Sequence, residues 1–243
     1  MLDKGKSSLK QIKELLTEED IGAIIIEGSS GSAGCILYPD GYLKELEKIC
    51  KENNVLLICD EIMSGWGRIG YLFGYMKHDI KPDIITTSKG FTNGYIPLGA
   101  TIISKEVASI YEKHLFIHGL TYFAHPLSCK IANKCLDLYL KNDQKIIRQT
   151  KEKGLLLNQL GKRIEKDKNL VKKYRNNGLL GCFELDTNNE MLLRIISKNL
   201  LRNGVFCSRR QNRIFTAPPL IITEEEIKNT MQIIQTVLHE HRF

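Results

Sequence analysis

The stretches VLLICDEIMSGWGRIG (55–70) and PDIITTSKGFTNGYIPLGA (82–100) decide how this chain is read. VLLICD (55–60) is a short apolar run closed by two acids, Asp60 and Glu61. A run of that length and composition reads as a buried strand. A glycine-punctuated loop covers 61–74, and DIITTS (83–88) is a second strand that runs into Lys89. Working outward, AIIIE (23–27) is a further strand ending in the glycine-rich turn GSSGSAG (28–34), and LGATIIS (98–104) is another. Helical spacing marks 7–17 and 41–52. Strands separated by helices or long crossovers predict an α/β fold with a mainly parallel sheet covered on both faces. In such sheets ligands gather outside the carboxyl ends of the strands. The residues just past those ends are Glu27, Asp60 and Lys89.

From about residue 124 the character changes. Long helices are expected over 124–175, with Leu155, Leu156, Leu157 and Leu160 pointing inward. LLGCFELD (179–186) follows as a strand, then a helix at 188–202, short strands near 204–208 and 213–216, and a last helix. Thr223 caps that helix with Glu226 three residues on, the pattern of a capping box, and Pro218 and Pro219 stop the strand before it. This half reads as a smaller α+β domain. The expected division is 1–123 for the first domain and 124–243 for a connecting helix and the second.

Composition narrows the function classes. The 243 residues are 42% hydrophobic and 26% charged, as in ordinary globular chains. No apolar run approaches the roughly 18 residues of a membrane helix, and the polar start MLDKGKSSLK has no secretory apolar region. A cytoplasmic protein without a membrane partner is expected. Net charge is +7, but residues 141–175 hold twelve Lys/Arg and four Asp/Glu, and the remainder sums to −1. That stretch reads as a solvated helix face. It lacks the interleaved aromatics of a single-strand platform, so nucleic acid is not expected as a partner. Seven scattered cysteines without a CxxC read as reduced, mostly buried thiols. His114, His118 and His125 have no metal-ligand spacing, and GSSGSAG is neither GxGxxG nor followed by Gly-Lys-Ser/Thr. No metal is expected.

Asp60 and Lys89 are more telling together than singly. A carboxylate and an amine at the carboxyl edges of successive parallel strands face one cavity. Burial of the strand end partly desolvates the lysine, which lowers an ammonium pKa and makes the amine a usable nucleophile. Glycines 90, 94 and 99 let the backbone turn sharply beside it. Pyridoxal phosphate chemistry needs this pair: an amine to hold and later deprotonate, and a carboxylate to keep the pyridine nitrogen protonated.

CDEIMSGWGRIG, PDIITTSKGFTNGYIPLGA, HGLTYFAHPLSC (118–129) and APPLIITEEEI (217–227), in this order and spacing, resemble class III pyridoxal-phosphate aminotransferases. GSSGSAG and PDGYL (39–43) look most like the taurine–pyruvate type. The resemblance implies the aspartate-aminotransferase-like architecture known as fold type I, with a large-domain portion and a carboxyl-terminal small domain. It implies pyridoxal 5'-phosphate as cofactor and amino transfer from a taurine- or β-alanine-like donor to a keto acid such as pyruvate. Residue by residue, Lys89 matches the Schiff-base lysine and Asp60 the partner of the pyridine nitrogen. Ile62 matches the aliphatic packed on one face of the ring. Thr121 matches the threonine that reaches the other subunit's cofactor phosphate in a homodimer. Arg209 or Arg210 matches the carboxylate-binding arginine, and the spacing does not choose between them.

Some residues depart from the family pattern. Gly28 stands where a proline is usual, Ser32 where ornithine-type members carry a glutamate, and Phe123–Ala124 where a small pair is common. Gly65, Trp66, Gly67 and Arg68 keep the GxGR element, with Trp66 read as core or tunnel wall. Intact members are nearly twice as long, and the front half would hold the phosphate loop and several strands. The expectation is therefore a carboxyl-terminal portion acting with that half, as one part of a split enzyme with the front half separately encoded, or an inactive fragment.

Overall fold

The computed structural model describes residues 2–167 and 170–241. The chain divides into two compact units. The first comprises 1–29, 38–66 and 71–145; the second comprises 30–37, 67–70 and 146–243.

The first unit is built on a sheet of β1 (Ala23–Glu27), β2 (Leu56–Asp60), β3 (Ile84–Thr87) and β4 (Ala100–Ile103), in that spatial order. β1, β2 and β3 are mutually parallel and β4 returns antiparallel, so the expected mainly parallel sheet is found. Leu57 and Cys59 of β2 are buried against α2 (Tyr42–Glu52), which buries Leu43, Leu46, Ile49 and Cys50 at helical spacing. α1 (Leu2–Glu18) adds Leu9, Ile12 and Leu16 to the same cluster. The α2 face is apolar at i, i+3, i+6 and i+7, which is why this segment is a helix packed on a sheet. A short α3 (Lys105–Ile110) follows β4, capped by the Ser104 side chain, which accepts from the Val107 amide.

α4 (Pro126–Lys166) is interrupted at Lys141–Gln144, where Asn142, Asp143 and Gln144 take left-handed backbone. Its first part belongs to the first unit and its last part to the second.

The second unit carries an antiparallel sheet of β5 (Val171–Asn177), β6 (Leu180–Leu185), β7 (Ser208–Arg210) and β8 (Arg213–Thr216), in the order β5–β6–β8–β7. α5 (Glu190–Arg202) and α6 (Glu224–Glu240) pack on it. The Asn189 side chain caps α5, and Thr223 and Glu226 form the expected capping box at α6. The core gathers Tyr174, Phe183, Leu193, Ile196 and Ile234, all essentially inaccessible.

Three expectations fail here. Residues 171–175 are strand, not helix. Val171, Tyr174 and Asn177 are buried at a spacing of three, which imitates a helix, because a bulge between Val171 and Lys173 shifts the strand register. Leu155 is 70% exposed, whereas Leu157 is 2% exposed and Leu156 and Leu160 pack on the core. The strand expected at 204–208 begins only at Ser208, because it is set by pairing with β8 across the Gln211–Asn212 turn.

Candidate active site

The parallel register brings Glu27, Asp60 and Thr86 into one cross-strand row at the carboxyl edge of the first sheet. Adjacent strands lie about 4.8 Å apart, and residues paired in register project to the same face. Backbone bonds from the Gly28 amide to the Asp60 carbonyl (3.2 Å) and from the Glu61 amide to the Thr86 carbonyl (2.8 Å) hold the row in line. Asp60 is half-buried, and its Oδ1 accepts the Ile62 amide at 2.9 Å. Ile62, also half-buried, thus stands beside Asp60 through a one-turn bond.

Lys89 begins a short 3₁₀ turn, Lys89–Phe91, three residues beyond Thr86. Its φ is 47°, in the left-handed region, which costs a non-glycine residue about 1 kcal/mol or more unless the surroundings fix it. The side chain is exposed. The burial expected of it at the strand end is therefore absent among the described residues: the lysine stands past the strand end, not in it.

The turn is braced from beneath. Trp66, buried and itself at φ 59°, donates from Nε1 to Thr87 Oγ1 at 2.7 Å. Its ring stacks on Phe91 with centroids 5.1 Å apart and meets Phe73 edge-on at 5.0 Å. Trp66 is core, as one of its two sequence readings had it. Gly90 lies so close that a Cβ there would stand 2.8 Å from Trp66 Cβ, so the backbone passes directly over the indole. The Tyr139 hydroxyl of α4 donates to the Gly90 carbonyl at 2.8 Å.

Sequence reasoning did not single out Glu61, Thr87 or Tyr139. Glu61 is fully buried and accepts from Ser64 Oγ (2.6 Å) and from the amides of Gly74 and Tyr75 (both 2.7 Å). It anchors the 3₁₀ turn Gly74–His78. Burial pushes its carboxyl above the usual range against those three hydrogen bonds. The only signal in the sequence was that the strand ends on two acids. The thiol of Cys59 is pushed up to about 12 by burial, so it is inert near neutrality.

Thr121 lies within 111–127, where every residue is exposed. Leu115, Ile117, Leu120, Tyr122 and Phe123 there are apolar and face solvent.

Arg209 and Arg210 are on β7 in the second unit and point to opposite faces by strand alternation. Arg209 is committed: Nη1 and Nη2 reach the Glu190 carboxylate at 3.1 and 2.7 Å, and Nη1 also reaches the Gln211 carbonyl. Arg210 is exposed and pairs in register with Arg213. Arg68 of the GxGR element has a structural duty in this unit, donating to the carbonyls of Pro218 (2.6 Å) and Leu179 (3.2 Å).

The model of class-III aminotransferases matches residues 2–238. The chain belongs to that family. It is 33% identical to adenosylmethionine-8-amino-7-oxononanoate aminotransferase of Helicobacter pylori, over 98% of this chain and 57% of that protein. It is 35% identical to acetylornithine aminotransferase of Caldanaerobacter subterraneus, over 93% of this chain and 56% of that protein. Among solved structures, taurine:2-oxoglutarate aminotransferase of Bifidobacterium kashiwanohense, in complex with PLP and glutamate, superposes with a TM-score of 0.92 at 29% identity. That match covers 98% of this chain and 57% of the other. The class-III chain described here therefore spans little more than half the length of the relatives it matches, and its fold is that of the family's α/β architecture with a separate antiparallel sheet.

Proposed function

We propose that Asp60 and Lys89 are the pyridoxal 5'-phosphate site of an aminotransferase that moves an amino group from an amine or amino acid to a keto acid such as pyruvate. The observation that carries this reading is the in-register row Glu27–Asp60–Thr86 with Lys89 three residues past its last member. The donor set fits the group: an exposed primary amine and a half-buried carboxylate stand at the same edge of one parallel sheet. When bound, the cofactor supplies an aldehyde that holds the amino group and a ring that accepts electrons from the substrate carbon. Asp60, fixed by the Ile62 amide, holds a proton at the ring nitrogen. Lys89 takes and returns the proton at the substrate α-carbon. Ile62, beside Asp60, would pack against the ring.

A taurine- or β-alanine-like donor is the reading supported by Ser32 and by the likeness to the taurine:2-oxoglutarate enzyme. The exposed apolar run 111–127 supports a homodimer in which Thr121 reaches the partner's cofactor phosphate. The bare edges of β1 and β4, with Ile25, Ile102 and Ile103 exposed, support completion of the sheet by a front half. No described helix is long and apolar enough to cross a membrane.

The test is reduction of the full chain with borohydride in the presence of pyridoxal phosphate, alone and co-expressed with the front half of a class-III relative, followed by peptide mass mapping. The expected result is cofactor mass on Lys89, lost in Lys89→Ala, with alanine formed from pyruvate and β-alanine or taurine by the complemented protein. Absence of label on Lys89 with the front half supplied overturns the reading.

A further inference from the structure

The turn that carries Lys89 is tied within its own loop by Ser88 Oγ, which donates to the Leu98 carbonyl at 3.3 Å, and Thr92 Oγ1, which donates to the Ile96 carbonyl at 2.6 Å. Two further bonds reach it from the aromatic cluster on which Phe91 stacks, and neither involves Lys89 itself. On one side, Thr87 Oγ1 accepts the Trp66 indole N–H. On the other, the Gly90 carbonyl accepts the Tyr139 hydroxyl. Between them the backbone of Lys89 is left-handed, a conformation that persists only where its neighbours over-determine it. The turn's own bonds are short-range: Phe91 amide to Ser88 carbonyl, Thr92 to Lys89 and Asn93 to Gly90, the last two at 3.3 Å. Bonds of that length and reach do not fix a strained residue on their own. The Tyr139 hydroxyl comes from α4, some fifty residues downstream, and its ring packs 5.7 Å from Trp66, so both holds belong to one buried aromatic cluster.

We propose that Tyr139 is a positioning residue for the Lys89 amine: its hydroxyl, with the Trp66–Thr87 bond opposite, fixes the turn so that the amine is presented at the carboxyl edge beside Asp60. This rests on the reading of Lys89 given above. The two parts of the side chain can be separated by substitution, because the ring packs beside Trp66 and the hydroxyl donates to the turn. Gly90 contributes by lacking a Cβ, which lets its carbonyl come within reach while the chain lies against the indole.

Tyr139→Phe removes the hydroxyl and keeps the ring. Amide hydrogen exchange of the full chain, without cofactor, is expected to speed up about fivefold at Phe91, Thr92 and Asn93, as the loss of one hydrogen bond predicts, with β6 unchanged. Thr87→Val, at the other end of the turn, is expected to act in the same direction. Tyr174→Phe removes an equally buried phenol in the second unit and is expected to leave those three amides alone. In the second arm, pyridoxal phosphate and borohydride label the complemented protein. The fraction of label on Lys89, relative to the other lysines, is expected to fall about fivefold in Tyr139→Phe, and the quenching of Trp66 fluorescence to require correspondingly more cofactor. Label on Lys89 that is equal in wild type and Tyr139→Phe, with unchanged exchange, overturns the positioning role and leaves the Lys89 reading standing. A wild type that takes no label at Lys89 overturns both.

Discussion

The sheet β1–β4 and the sheet β5–β8 each have four strands, yet they treat apolar surface in opposite ways. The second sheet has a face filled by its own helices. Tyr174, Phe183 and Ile214 lie in one row across β5, β6 and β8, and the row is sealed by residues of α4, α5 and α6. The first sheet is sealed on the α1–α2 side but leaves apolar side chains along both outer strands, with Ile25 at 63% exposure on β1 and Ile102 at 43% on β4. Parallel sheets are stable when both faces and both edges are covered. The difference teaches that one unit buries its apolar surface within this length of chain, and the other leaves apolar side chains exposed on both of its outer strands among the described residues.

The largest test of that contrast is Phe183→Ala. The ring is inaccessible and packs 4.4 Å from Tyr174, so its removal is expected to cost about 3–5 kcal/mol in urea unfolding followed by circular dichroism. A cost under about 1 kcal/mol would show that the second core is not self-sufficient.

Glu61→Gln tests the closed side of the first unit. A carboxamide turns its NH2 toward groups that themselves donate, whereas the carboxyl group accepts from all three, and a loss of about 1–3 kcal/mol is expected. The pH dependence has a definite sign. The folded carboxyl is raised above its ordinary value, so the native state holds this proton more tightly than the unfolded chain does. Its contribution is complete below the ordinary glutamate range and is lost as pH rises through the folded value. The difference in urea midpoint between wild type and Glu61→Gln should therefore narrow as pH rises across that window. A gap that widens with pH would contradict the assignment.

The smallest effect belongs to the open edge. Ile25→Thr is expected to change stability by no more than about 0.5 kcal/mol, as at other exposed positions, while lowering self-association in analytical ultracentrifugation. A large destabilisation would mean that β1 is covered.

Much of this was legible in the sequence, for a physical reason. Short continuous apolar runs bounded by turn residues read as strands, so AIIIE, VLLICD and DIITTS could be read directly, and the acid and amine at their ends followed; the expected cover on both faces is not found, since Ile25 of β1 is exposed among the described residues. The α6 cap was legible because Thr223 and Glu226 act locally. What was hidden depended on contacts distant in sequence. VKKYRNN has helical spacing until pairing with β6 and a bulge make it a strand. The exposure of Lys89 is a property of the turn, not of the strand that precedes it. Leu155 and Leu157 look alike until the helix is oriented. Arg209 and Arg210 became distinguishable only when α5 placed Glu190 beside one of them. Tyr139 gave no signal because its partner is a backbone carbonyl, which no residue type reveals.

Gly161 of α4 and Tyr174 of β5 share one volume. A methyl group at 161 would stand 2.1 Å from the tyrosine ring, inside the space the ring occupies. The helix gives up helical propensity at that point, about 1 kcal/mol against alanine, and an aromatic ring fills the vacated ground. Neither position can drift alone in a lineage: an alanine at one demands a smaller partner at the other. The two sites should therefore be inherited, mutated and engineered as a single locus.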